Sequence, residues 1–254
     1  METDDEIDKL IKEIGEGKHG TPNNLDLDEE TLKKVDDRMI EIFSDRSIEK
    51  IKEEAIKGEY GNGDERELKL GIMYNIVQNK VNEELGYEKR RELNEKHIEI
   101  LANRAIEGEF GDGMERKEKL GKHFKRVQNK VNEMEGNPRR YDLNRLDIDE
   151  YIKKLFTNEI TDDVVKAAVG DNLYKFIRNK VNEMNNNKDR IPLNKECIDA
   201  LAEETIMLEF SDNEERKEKL GELYPFVQNR VNEILKINER IDIHQTPWYL
   251  NLKN

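Results

Sequence analysis

GEYGNGDER at residues 58–66 is followed by YNIVQNKVNEE at 74–84, and fifty residues later the chain reads GEFGDGMER at 108–116 and FKRVQNKVNEM at 124–134. Similarity at a fixed period of this size is the mark of a repeat protein, and it decides the fold before any single residue does. VQNKVN begins at Val77 and Val127 and returns as IRNKVN at Ile177 and VQNRVN at Val227. Ile48, Ile98, Ile148 and Ile198 keep the same phase, as do Arg90, Arg140, Arg190 and Arg240. The pairs Leu93-Asn94, Leu143-Asn144 and Leu193-Asn194 follow it too, with Phe43-Ser44 one step earlier. Four units are read, over 44–93, 94–143, 144–193 and 194–243. Residues 1–43 read as a fifth, degenerate copy that caps the array, although TPNNLDLDEETLKK in its middle departs from the pattern. Residues 244–254 form a tail outside the repeat, and its Trp248 and Tyr249 are expected to cover the open end of the last unit.

Within a unit the spacing is helical. Ile48, Ile51, Ala55 and Ile56 fall at i, i+3, i+7 and i+8, and Ile98, Leu101, Ala105 and Ile106 repeat that stripe. Ser44 or Asn94 is expected to cap this first helix and Gly58 or Gly108 to end it. A second short helix is expected from about Gly63 to Ile72, and a third from Tyr74 to about Leu85, burying Tyr74, Val77, Val81 and Leu85. The fold class is therefore all-α, a tandem array of three-helix bundles with a 50-residue period.

Composition narrows the function. The 254 residues carry a net charge of −14, with 40% charged and 35% hydrophobic residues. Nucleic-acid binding needs a basic face, and attraction to an anionic membrane needs the same, so neither partner is expected. Interspersed charges of both signs read mostly as solvated helix faces. The single Cys197 excludes an internal disulfide framework. The acidic start METDDEIDKL shows no secretory signal, which leads to an expectation of synthesis in the cytoplasm. No set of His, Cys or carboxylate recurs at metal-ligand spacing, and no phosphate loop, dinucleotide fingerprint or nucleophile elbow is present. No metal, no cofactor and no catalysis is expected.

Most of the repeated motif has a structural reading. Asn62 with Glu65, Asp112 with Glu115, and Asp212 with Glu215 have the spacing of a capping box, which the third unit breaks by placing Val165 after Asp162. Tyr74, Phe124, Tyr174 and Tyr224 open the third helix as core aromatics, and a tyrosine there can keep its hydroxyl at the surface. Asn82, Asn132, Asn182 and Asn232 are expected to bond the connector backbone, with the Arg90 series structural as well. Arg66, Arg116 and Arg216 are harder to assign. A cation in the first turn of a helix opposes the helix dipole, so each needs either an internal carboxylate, such as Glu59 or Glu83, or an anionic or carbonyl-rich ligand. Gln78, Gln128 and Gln228, beside the aromatics, need partners of their own.

The string G-x-[YF]-G-[ND]-G-x-x-R, then K-L-G, then [YF]-x-x-V-Q-N-K-V-N resembles the CW-seven cell-wall-binding repeat, best known from the C-terminal part of a phage lysozyme. The likeness is close in units one and two. Unit four keeps Arg216, Tyr224 and VQNRVN but reads LEFSDN in place of the glycine loop, and in unit three the last helix alone is similar. The resemblance implies a three-helix bundle that binds peptidoglycan muropeptides, the disaccharide with its first peptide residues. It implies ligand contacts at Tyr60, Gly61, Asn62, Arg66, Tyr74 and Gln78, then at Phe110, Gly111, Asp112, Arg116, Phe124 and Gln128, and at Arg216, Tyr224 and Gln228. Unit three carries Lys166 and Arg178 at the Arg and Gln positions, so units one and two are expected to bind, unit four weakly, and the rest to act as spacers or caps. The protein would then act at the bacterial wall, phage-encoded or released by lysis. The alternative is a cytosolic scaffold with a protein partner that reuses the fold. A ligand site would leave Arg66 and Arg116 in an open concavity without a carboxylate, whereas a scaffold would tie each to a glutamate.

Overall fold

The computed structural model describes residues 4–207, 210 and 213–252. The fold is all-α, and among the described residues the strands are a small antiparallel pair, β1 (Gly20–Thr21) and β2 (Asn24–Leu25). The chain divides into two compact units, Met1–Gly111 with Arg126–Arg139, and Asp112–Lys125 with Arg140–Asn254. That division falls inside the second of the expected repeats.

In the first unit, α1 (Asp4–Gly15) and α2 (Glu29–Ile42) pack on each other and are joined through the hairpin. The TPNNLDLDEETLKK segment, which departs from the repeat pattern, forms the hairpin turn and the start of α2. The first repeat then supplies α3 (Ile48–Ile56), α4 (Asp64–Leu70), a 3-10 turn (Gly71–Met73) and α5 (Tyr74–Glu84). Helices α3 and α5 pack together through Ile51, Ala55, Val77 and Val81, all at most 2% exposed. Helix α4 divides its packing between α5 and the preceding α1, while the 3-10 turn lies against α2. Gly71 makes that approach possible: its φ is +48°, and a Cβ there would come within 2.3 Å of Met39 Sδ. The helices recur in the expected order, but the packing of α4 crosses the repeat boundary.

Helix α6 (Glu95–Ile106) opens the second repeat and docks on the first. Arg104, 6% exposed, donates to the Phe43 carbonyl at 2.8 Å, the Arg46 carbonyl at 2.9 Å and Glu109 at 2.6 Å. Helix α7 (Gly113–Leu120) belongs to the second unit, and α8 (Phe124–Met134) begins at the division.

The second unit holds α9 (Ile148–Phe156), α10 (Asp162–Met184), α11 (Lys195–Ile206), α12 (Asn213–Leu220), a 3-10 turn (Gly221–Leu223) and α13 (Tyr224–Ile234). Helix α9 packs on α10, α10 on α11, and α11 on α13, around Ile148, Val165, Ile177, Leu201 and Val227. Helix α10 joins the second and third helices of the third repeat across a kink at Gly170, where φ is 78° and ψ 166°. At the position matching Arg104, Glu204 takes a two-pronged ion pair from Arg145, with one contact at 2.8 Å. The same joint between successive repeats is therefore made with opposite charge in the two units.

Local expectations were met unevenly. Asn94 caps α6 in a reciprocal box with His97, and Asn194 caps α11. Helix α3, however, is capped by Ser47, three residues after Ser44, whose hydroxyl donates instead to the Glu41 carbonyl at 2.7 Å. The capping box at Asn62 is not formed: Gly63 holds the cap position and the Asn62 side chain turns to Arg66. Asp112 occupies the cap of α7 but gives its carboxylate to Arg116, and Asp212 lies outside the described residues, as does most of LEFSDN. Ile56, Ile106 and Leu85 are 42%, 43% and 50% exposed, because each stands at or just past a helix end where no neighbouring element reaches.

The tail brings Tyr249 against the core of the second unit. It returns along the connector before α11, where Leu193 and Leu250 form a parallel bridge and Trp248 stays 77% exposed.

Candidate functional site

The first repeat builds a cationic cavity around Arg66. The glycine loop turns through positive φ at Gly58 (87°), Gly61 (71°) and Gly63 (57°), and this folds the loop carbonyls and the end of α3 toward the first turn of α4. Arg66 Nε donates to the Gly61 carbonyl at 3.1 Å. Its Nη2 donates to the Ala55 carbonyl at 2.9 Å and to Asn62 Oδ1 at 3.0 Å, and its Nη1 to Gln78 Oε1 at 3.1 Å. All four acceptors are neutral oxygens. The carbonyl end of α3 carries negative helix-dipole character, which offsets the cost of placing a cation at the start of α4. Neither Glu59 nor Glu83 is among these four acceptors.

Gln78 passes the link on. Its Nε2 donates to Asn82 Oδ1 at 2.7 Å, and Asn82 Nδ2 donates to the Lys89 carbonyl at 2.8 Å, tying the connector to the helix. Asn79 adds a two-way bond to the backbone of Arg91, at 2.9 and 2.6 Å. Arg91 in turn lies over the Tyr74 ring at 4.3 Å, donates to its hydroxyl at 3.0 Å and pairs with Glu67 at 3.3 Å. Tyr74 thus has a buried ring and an engaged hydroxyl.

Between these groups is a cavity of about 270 Å³, lined by Arg66, Tyr74, Gln78, Asn82, Lys89 and Arg91 beside Gly63. Three cationic residues line it and no carboxylate does. Of the three, only Arg91 has a carboxylate partner among the described residues. In a chain of net charge −14, this is a local reversal of sign.

The other expected residues fall as follows. Tyr60 does not line the cavity; its hydroxyl donates to Glu54 and accepts from Arg46 at 3.1 Å. Burial and the Glu54 hydrogen bond push that hydroxyl well above the usual phenol range, and the same bond holds the Glu54 carboxyl below the usual range. The second repeat's set is divided between the units: Phe110, Gly111 and Gln128 belong to the first, Asp112, Arg116 and Phe124 to the second. Phe110 is buried, and Gly111 N–H donates to the Gly108 carbonyl at 3.0 Å. Arg116 pairs with Asp112 at 3.0 Å, and Phe124 meets Tyr141 edge-on at 5.3 Å. Gln128 keeps the relay, donating to Asn132 at 3.0 Å, with Asn132 donating to the Arg139 carbonyl at 3.1 Å. In the fourth repeat Arg216 donates to Gln228 at 2.7 Å, Gln228 to Asn232 at 2.8 Å, and Lys217 stands 5.7 Å from the Tyr224 ring.

The third repeat fills the same positions differently. Asp162 accepts from the Tyr174 hydroxyl at 3.0 Å and approaches Arg178 at 3.6 Å, while Lys166 pairs with Asp171 at 2.9 Å. Hydrogen bonds from Lys175 and Lys166 hold the Asp171 carboxyl down at about 2. Asn182 still bonds the connector, at the Asp189 carbonyl.

Lys89 and Arg91 were not picked out by the sequence reading. The repeat register could have found them: the pair reads Lys89/Arg91, Arg139/Tyr141, Asp189/Ile191 and Glu239/Ile241 through the four repeats. Its positive charge is greatest in the first.

The fold and the in-phase motif define an all-α tandem-repeat protein. Residues 49–85 and 99–134 match the CW_7 repeat, two tandem copies. CW_7 is a repeat family and not a catalytic one. No curated protein and no solved structure matches the chain. Among the described residues no helix is long and apolar enough to cross a membrane.

Proposed function

We propose that the chain is a non-catalytic binder of bacterial peptidoglycan, and that the Arg66 cavity receives a muropeptide. The observation that carries this reading is a cavity with three cationic residues and no carboxylate in its wall. Arg66, Tyr74 and Gln78 of that wall lie in the segment 49–85 that matches the CW_7 repeat, and Lys89 and Arg91 follow just after it. A muropeptide brings carboxylates and amide carbonyls, which a guanidinium and an ammonium recognise by charge-assisted hydrogen bonds. Binding is strongest at the first repeat, followed by the second, and weaker at the fourth, where Glu239 and Ile241 stand in place of Lys89 and Arg91. Linked sites supply avidity, because the second meets an effective concentration of order mM. Recognition by local hydrogen bonds suits an acidic protein on an anionic wall.

Two observations favour the scaffold reading: Arg66 already satisfies four internal acceptors, and Arg116 is tied to a carboxylate, that of Asp112 at 3.0 Å. Co-sedimentation with purified peptidoglycan separates the two. The wild-type chain is expected to pellet with the wall, and Lys89→Gln/Arg91→Gln to lose affinity by about tenfold or more, the equivalent of one charged hydrogen bond. A folded wild-type chain that stays in the supernatant would leave the repeats as a scaffold. Four or more equal sites in a titration would contradict the order of affinity.

A further inference from the structure

The chain has a single tryptophan, Trp248, and it stands 77% exposed on a tail that is firmly anchored. Leu193 N–H donates to the Tyr249 carbonyl at 2.8 Å, Asn251 N–H to the Leu193 carbonyl at 2.8 Å, and Leu250 N–H to the Pro247 carbonyl at 2.9 Å. Pro247 and Leu250 are buried on either side of the indole. Tyr249 meets Trp248 edge-on at 5.7 Å, and its hydroxyl reaches Glu222 at 3.4 Å. Burial and the nearby Glu222 carboxylate push that hydroxyl up to about 12. An indole held in place with its apolar surface in water gives up burial energy that a ligand can recover.

Trp248 lines a cavity of about 500 Å³ in the second unit, within the roughly 300–1,000 Å³ typical of small-ligand sites. Lys180, Glu183, Lys188, Arg190 and Glu222 line it as well. Glu183 pairs with Lys180 at 3.5 Å and Glu222 meets Tyr249. Lys188 and Arg190 form no ion pair among the described residues, and Arg190 donates to the carbonyls of Asn187 and Asp189 at 2.8 and 3.2 Å. The wall therefore offers an aromatic plate, two carboxylates that accept hydroxyl hydrogen bonds, and three cations, of which Lys180 is paired with Glu183 while Lys188 and Arg190 are not ion-paired among the described residues.

We infer that this cavity is a saccharide site for a hexopyranose bearing one carboxylate. The weakly positive C–H face of the sugar stacks on the negative π face of Trp248. Its hydroxyls donate to Glu183 and Glu222, and its carboxylate meets Lys188 and Arg190. A nucleotide would also use an aromatic plate and the same cations, so adenosine monophosphate is the competing ligand in the test. None of these residues lies in the segments 49–85 and 99–134 that match the repeat family, so the inference does not rest on the Arg66 cavity.

Because Trp248 is the only tryptophan, fluorescence of the full-length chain reads this cavity alone. Titration with N-acetylmuramic acid is expected to give a saturable change, and N-acetylglucosamine, which lacks the carboxylate, to bind about tenfold more weakly or worse. Lys188→Gln, which removes an exposed side chain, is expected to weaken N-acetylmuramic acid by a similar factor with an unchanged melting curve. A flat response to N-acetylmuramic acid would overturn the inference. Tighter binding of adenosine monophosphate would overturn it too, as would a spectral shift that follows protein concentration without sugar and so assigns the indole to self-association. Wall binding with no tryptophan response would remove this site and leave the Arg66 reading intact; a tryptophan response without wall binding would do the reverse.

Discussion

The first and third repeats share a helix order and differ in where they put charge. In the first, a guanidinium is bonded to four neutral oxygens beside a cavity with no carboxylate in its wall. In the third, Asp162 holds Tyr174 and faces Arg178, and Asp171 holds Lys166 and Lys175. The connector bond survives in both, from Asn82 to Lys89 and from Asn182 to Asp189. The asparagines hold the fold, so they recur whatever the ligand chemistry. The Arg, Gln and connector cations vary independently of it.

The largest expected contrast is in stability. Arg66→Ala removes four charge-assisted bonds and strands the Gly61 carbonyl, while the Ala55 carbonyl keeps the Gly58 N–H, and is expected to cost about 3 kcal/mol in urea unfolding. Arg178→Ala, which gives up a half-exposed pair at 3.6 Å, is expected to cost about 0.5 kcal/mol or less. Equal costs would erase the distinction between hub and surface pair.

Next, the shared asparagine should behave alike in both repeats. Asn82→Ala and Asn182→Ala each leave a connector carbonyl without its donor, for about 1–2 kcal/mol. A large effect in one repeat alone would break the structural equivalence.

Asn62→Asp brings to the first repeat the carboxylate that the third already has. It keeps the bond to Arg66 and fills its charge, so peptidoglycan affinity is expected to fall about tenfold with little loss of stability. Unchanged binding would show that Arg66 does not meet the ligand.

The smallest effect concerns pH. Burial holds the His97 imidazole below its ordinary value of 6.5, and Cys197 takes the matching position in the fourth repeat. A lowered folded value means that the unfolded chain binds the proton more readily. The contribution of His97 is therefore complete above 6.5 and is lost as pH falls through the lowered value. Acid is expected to loosen the first unit before the second, as read by amide exchange in α6, and His97→Gln to remove the difference.

The repeat, the all-α class and the Asn-to-connector bonds were legible because they depend on residues fixed in phase. The alternating caps were not: Ser47 replaces Ser44 in the first repeat and Asp147 stands one residue before α9 in the third, a shift that the motif does not encode. Lys89 and Arg91 were missed for the opposite reason, since they change from repeat to repeat and so vanish from any shared pattern. Trp248 stays exposed while its neighbours Pro247 and Leu250 take the buried places, a choice that single residue types outside the repeat do not encode.

Calorimetry with a soluble disaccharide-dipeptide tests the central claim most directly, on the wild type and on Lys89→Gln, whose exposed side chain lies outside the Arg66 hydrogen bonds. The account predicts measurable binding that weakens about tenfold in the variant while the helical melting curve stays the same. Binding of equal strength in both proteins, or none in the folded wild type, would contradict it.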